Sequence, residues 1–198
     1  MKMEHNEGRN DEELLAPVPD ILADDLCILF VGFNPGLRSS LIGHHYAGYS
    51  NRFWRLLAES GLTPRRLSPE EDVLMPEFGF GLTNIVASPS RLASEITSRE
   101  YAEGRERLAG LIERLRPRIV CYTGIGVYEQ FSGKRRVMCG RQEQAVIEGV
   151  IDFVVPSPSG LNRISFEKQL DYYRELVSLA KEVCAPRGYL RGLEMTIR

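Results

Sequence analysis

The chain has 198 residues, 43% of them hydrophobic and 26% charged, with a formal net charge of −2. That length and apolar content suffice for one substantial core, so a single domain is expected, and no apolar run approaches the roughly 18 to 20 residues needed to span a bilayer. The N-terminus is polar and acidic and lacks the basic-then-apolar pattern of a secretory signal, so the protein is expected to be intracellular.

Charge is distributed unevenly. Residues 1–25 hold two basic side chains, Lys2 and Arg9, against eight acids, a net of −6 that leaves +4 on the rest. A mildly basic body behind an acidic leader is compatible with phosphate binding without demanding it. Residues 1–19, interrupted by Pro17 and Pro19, read as flexible, and the leader as a whole is placed at 1–25.

The first regular element is the continuous apolar run Leu26 to Val31, ending at Gly32, the pattern of a strand covered on both faces in a parallel sheet. A glycine-containing turn and a polar loop lead to Tyr49. Asn51 to Ser60 reads as a helix, with Phe53 and Leu57 on one face, stopped by Gly61. Ser68-Pro69-Glu70-Glu71 starts another helix, with Ser68 as cap, Pro69 at the first position and Glu71 completing a capping box. A short strand lies within Gly79 to Val86. Thr97-Ser98-Arg99-Glu100 is a second capping box, opening a helix that carries Leu108, Leu111, Ile112 and Leu115 and stops at Pro117. Arg118 to Thr123 and Val150 to Val155 are further strands, with a short helix between them ending near Phe131. The last long helix runs from about Phe166 to Val183. Strands alternating with helices predict a single-domain, three-layer α/β/α protein with a short, mainly parallel central sheet. The tail, 186–198, is short and basic and is expected to be loose. Cys27, Cys121, Cys139 and Cys184 are scattered, without metal-ligand spacing; Cys27 and Cys121 read as small buried hydrophobes.

In an open parallel sheet, function gathers at the carboxyl ends of the strands. Three segments rich in Gly, Pro, Ser and Asn leave strand ends there: Gly32 to Leu37, Gly81 to Asn84, and Pro156 to Arg163. Each alone is an ordinary turn; their coincidence at one edge points to a shared site. That edge has no Gly-x-Gly-x-x-Gly, no phosphate-loop lysine and no Gly-x-Ser-x-Gly elbow, which disfavours a nucleotide binder or an α/β-hydrolase. The only histidines are His5, His44 and His45, so no multi-histidine metal site is expected. What remains is Asn34, held by Pro35 and Gly36. An asparagine cannot act as a general acid or base, but its carbonyl oxygen can orient a water, which suits a substrate that is nearly ready to leave unaided.

Gly32-Phe33-Asn34-Pro35-Gly36-Leu37 resembles the Gly-Ile-Asn-Pro-Gly motif of the mismatch-specific uracil/thymine-DNA glycosylases. Gly43-His44-His45-Tyr46-Ala47-Gly48 with Asn51-Arg52-Phe53-Trp54 is similar to the stretch that follows it in thymine-DNA glycosylases. Gly81-Leu82-Thr83-Asn84-Ile85-Val86 looks like a third motif of that family, and Ser157-Pro158-Ser159-Gly160-Leu161-Asn162-Arg163 resembles the Asn-Pro-Ser-Gly-Leu-Ser-Arg wedge of the bacterial mismatch enzymes. Here Ser157 stands where the bacterial form has Asn, and Asn162 where it has Ser. The resemblance covers about residues 26–183, within a glycosylase domain placed at 26–185.

The resemblance implies a monofunctional DNA glycosylase that extrudes a uracil, thymine or modified pyrimidine, mispaired with guanine, and hydrolyses its glycosidic bond during base excision repair. Asn34 would position the water. Phe33, His45, Tyr46 and Asn84 would form the base pocket, Tyr46 by stacking and Asn84 by reading the pyrimidine edge; His44 could lie on the surface. Ser159, Gly160, Leu161, Asn162 and Arg163 would supply the wedge and backbone contacts, with Leu161 filling the vacated stack. No cofactor and no metal is implied. The partner would be double-stranded DNA, the protein a monomer. Two alternatives stay open: a uracil-DNA glycosylase without mismatch preference, and a catalytically silent mismatch-binding module.

Overall fold

The structure, a computed structural model, describes residues 15–90 and 95–184. Residues 1–14 and the basic tail expected at 186–198 lie outside the described residues. Five strands form one sheet in the order β2-β1-β3-β5-β4, comprising β1 (Ile28–Gly32), β2 (Phe80–Asn84), β3 (Ile119–Thr123), β4 (Gly140–Arg141) and β5 (Ile151–Val155). The first four neighbours in that order run parallel, and β4 pairs antiparallel with β5 at the edge.

Every residue of β1, β2 and β3 is buried, because helices cover both faces. On one face Ile28, Phe30, Phe80 and Phe153 pack against α2 (Phe53–Ser60) and α5 (Phe166–Cys184). On the other, Leu29, Val31, Val120 and Tyr122 pack against α3 (Ser98–Leu115) and α4 (Ile125–Ser132). This is the three-layer α/β/α architecture that the doubly apolar strands predict. Both capping boxes form: the Ser68 amide donates to the Glu71 carboxylate at 2.9 Å, and the Thr97 amide to Glu100 at 2.8 Å. Pro69–Phe78 winds as a 3₁₀ helix, carrying Pro76 within it.

Three features differ from expectation. The polar stretch after Gly36 contains a short helix, α1 (Leu37–Ile42), ended by Gly43 at φ 77°. The leader is not loose throughout 1–25. Val18 is buried, Ile21 pairs with Leu82 through hydrogen bonds of 2.8 and 2.9 Å, and Asp20 accepts from the Thr83 hydroxyl at 2.7 Å. Residues 18–21 therefore line the outer edge of β2, supplying partners that an edge strand would otherwise lack. Finally, Cys27 is not a free hydrophobe. It forms a disulfide with Cys184 across 157 residues, tying the start of β1 to the end of α5. Cys121 remains a buried free thiol.

Candidate active site

Strand order places the site. β1 leads to β2 on one side and has β3 on the other, so the chain reverses its direction of sheet growth beside β1, where a crevice opens at the carboxyl edge. A cavity of about 420 Å³ lies there, lined by Asn34, Tyr46, Asn84, Thr123, Ser157 and Leu161, among others. The three strand-end segments singled out from the sequence thus meet at one cavity. No helix among the described residues is long and apolar enough to cross a membrane, and no group of three or more His, Cys, Asp or Glu side chains there is placed to hold a metal ion.

Asn34 leaves β1 two residues past its end. Its side-chain amide donates to the Ser90 hydroxyl at 2.9 Å and to the Ser88 and Pro35 carbonyls at 3.2 Å each. The loop after β2 is itself held to the loop after β1, since Val86 N donates to Phe33 O and Ser90 N to Pro35 O. With its NH₂ group committed, Asn34 keeps its carbonyl oxygen as the acceptor available on the cavity wall. Among the described residues that line the cavity there is no Asp or Glu.

Tyr46 adopts a left-handed backbone conformation, φ 53°, and its ring stacks on Phe53 at 3.8 Å between centroids. Its hydroxyl pairs with the Thr123 hydroxyl at 3.1 Å, and Thr123 donates onward to Val31 O. Burial pushes the Tyr46 phenol far above its ordinary range, so it stays neutral. One ring face is therefore occupied by protein, and stacking by a ligand must use the other. Gly32 explains why the floor is open at all: a Cβ there would sit 2.4 Å from Asn84 Oδ1 and 3.3 Å from the Tyr46 hydroxyl. Asn84, 7% exposed, lies with its side chain over that glycine. Its backbone carbonyl accepts from Arg107, which also pairs with Asp20 at 2.9 Å.

His45 lines the cavity but is buried, and its Nε2–H donates to Pro19 O at 3.0 Å. Burial lowers its pKa from the ordinary value, so the ring is neutral near pH 7. Asp72, 1% exposed, organises this corner: one carboxylate oxygen accepts from the His45 amide at 2.9 Å, and the other pairs with His44 Nδ1 at 3.0 Å. His44 is thus anchored rather than a free surface residue. Phe33 is half-buried, its ring against Gly126 and edge-on to Tyr101.

The loop after β5 divides its residues between two tasks. Ser159 and Asn162 build the loop: Leu161 N donates to Ser159 Oγ, Asn162 Nδ2 donates to Ser157 O at 2.9 Å, and Ile164 N donates to Asn162 Oδ1 at 3.0 Å. Gly160 lets the loop lie against Ser50, where a Cβ would come within 2.2 Å of the hydroxyl. Leu161 is left 80% exposed at the tip, with Arg163 exposed beside it. Sequence reasoning missed Ser88, Ser90, Thr123 and Asp72. Ser88 and Ser90 lie in the loop after β2 and Thr123 closes β3, so all three were findable as hydroxyl-bearing residues at or beyond a strand's carboxyl end; Asp72 looks like any acid in a helix start.

Residues 19–181 match the family profile described as the uracil DNA glycosylase superfamily. The fold is similar to that of a solution NMR structure from Methanosarcina acetivorans of a candidate uracil DNA glycosylase, at a TM-score of 0.59 and 21% identity, covering 84% of this chain and 98% of that one. The extent of the profile match, taken with a cavity at the switch point of the sheet and an asparagine held by its amide, settles the assignment: this chain belongs to the uracil DNA glycosylase superfamily and is a DNA glycosylase.

Proposed function

We propose that the chain is a monofunctional, mismatch-type glycosylase that removes uracil, thymine or modified pyrimidines opposite guanine from double-stranded DNA, acting as a monomer. The observation that carries this reading is the restraint on Asn34: its amide is spent on Ser88, Ser90 and Pro35, which leaves a carbonyl oxygen to hold one water. A base within a duplex is out of reach, so the nucleotide is extruded, at a cost of a few kcal/mol that is least at a mismatch. The pyrimidine enters between Tyr46 and Asn84, and Leu161 occupies the vacated stack. The bond from the sugar C1′ to the base nitrogen breaks, and its electron pair leaves with the base. Water held by Asn34 bonds to the cationic C1′ and gives up its proton to the departing base or to solvent.

With no carboxylate among the described residues that line the cavity, turnover depends on how well the base carries negative charge, so uracil and electron-poor pyrimidines are cut faster than thymine. The test is a panel of duplexes with uracil, thymine, hypoxanthine or carboxylcytosine opposite guanine or adenine, plus single-stranded controls, scored for abasic sites. Faster release opposite guanine supports the mismatch preference. Equal rates in every context point to a general uracil-DNA glycosylase, and binding without release to a silent mismatch-binding module.

A further inference from the structure

Tyr49 is 90% exposed, the most exposed large hydrophobic side chain among the described residues. Leu161, at 80%, is next. The two belong to loops pressed together: Gly160 abuts Ser50, and Arg52 N donates to Pro158 O at 2.9 Å. The two side chains therefore stand on one rim formed by adjoining loops, Leu161 lining the cavity that holds Asn34 and Tyr49 lining the hollow beside it.

Tyr49 is not a loose side chain. The Arg38 guanidinium, from α1, lies over its ring at 3.9 Å from the centroid, and Arg38 Nη1 donates to the Tyr49 hydroxyl at 2.7 Å. Arg38 is fixed in turn by Nε donating to Ala47 O at 2.9 Å. One ring face is covered by a held cation and the other is open. This plate borders a second hollow of about 380 Å³, which shares Arg38, Tyr46, Gly48 and Asn51 with the first. Because the two hollows share a wall, a strand with one nucleotide in the first can place a neighbouring nucleotide at the second. Two cations, Arg38 and Arg66, and two anions, Glu70 and Glu71, line that hollow, so its net charge does not select a phosphate. Stacking does the selecting: a preformed aromatic with one free face is sequence-tolerant, because every base has a π-face, and an adjacent guanidinium strengthens it.

We propose that the Arg38–Tyr49 plate is a second DNA-contacting element, on which the unpaired base next to the extruded nucleotide stacks in single-stranded or locally opened DNA. This rests on the glycosylase reading above, and it gives the rim two tasks: Leu161 serves the duplex, Tyr49 the unpaired strand.

The test uses the full chain and oligonucleotides carrying 2′-fluorinated deoxyuridine, whose electron-poor sugar resists cleavage, with 2-aminopurine placed on either side of it. Tyr49→Ala is expected to weaken binding to the single strand by about 5- to 150-fold, the usual range for loss of one base–aromatic stack, while Tyr49→Phe stays within about threefold of wild type. On the side that stacks, 2-aminopurine fluorescence is quenched by the wild type and restored by Tyr49→Ala. Unchanged melting temperatures check that the exposed substitution leaves the fold intact. Equal affinity of Tyr49→Ala and wild type, or no quenching at either neighbour, overturns the proposal. If uracil is released normally and Tyr49 proves silent, the plate fails and the enzymatic reading stands. If Tyr49-dependent binding is found without base release from any substrate, the plate stands and the enzymatic reading fails.

Discussion

Asn34 depends on what restrains it. An asparagine free to rotate would present its carbonyl and its amide alternately; here three acceptors hold the amide and fix which end faces the cavity. Asn34→Ala is therefore expected to lower single-turnover uracil release by about 100-fold or more, since misplacing a reactant by an ångström can cost that much, while affinity for DNA stays within a few-fold. Near-normal release by the alanine variant would remove Asn34 from the mechanism. Gly32 makes a complementary case. A methyl group there meets Asn84 Oδ1 and the Tyr46 hydroxyl before it meets any helix, so the damage falls on the pocket floor. Gly32→Ala should displace both groups and depress base release, and an activity assay beside a thermal melt checks it. A variant that melts like wild type but is inactive is the expected result; full activity would show that Asn84 and Tyr46 can shift without consequence.

At the scale of elements, the loop after β5 separates construction from contact. Its side-chain hydrogen bonds are made by Ser157, Ser159 and Asn162, so the Leu161 tip is presented by a braced turn. If Leu161 fills the stack left by an extruded base, Leu161→Ala should slow release from mismatched duplex more than from a single strand, which has no stack to replace. Equal losses on both substrates would mean that Leu161 shapes the pocket. The segment 18–21 shows a similar division. Pro19 takes the His45 ring, and Asp20 joins Thr83 to Arg107, which holds the Asn84 carbonyl. A stretch that reads as part of an acidic leader is thus built into the wall behind the cavity.

For the whole molecule, the bond between Cys27 and Cys184 closes a loop that contains nearly all of the described chain. Restricting so long a loop in the unfolded state stabilises the folded one by roughly 2 to 5 kcal/mol. A reductant strong enough to open the bond should lower the melting temperature by roughly 5 to 20 °C for a chain of this size. Cys184→Ser should melt at the lowered temperature with or without reductant. A wild type insensitive to reductant would show that the bond contributes nothing.

What the sequence determined by itself is the set of elements and the chemistry available to them. Continuous apolar runs mark strands buried on both faces, the two capping boxes mark helix starts, and Asn34 ahead of Pro35 and Gly36 offers a side-chain amide at a strand end, because each of these signals is written in neighbours along the chain. Tertiary structure decided what meets what. Ser88 and Ser90 reach Asn34 across 54 and 56 positions, Thr123 reaches Tyr46 across 77, and Cys184 reaches Cys27 across 157. The pairings of Asn34 and Tyr46 follow from strand order and register, which place β2 and β3 on opposite sides of β1 with their ends level, and the disulfide from the packing of α5 on the sheet. Local spacing carries no record of that order, since it is set by how the helices cover the two faces of the sheet.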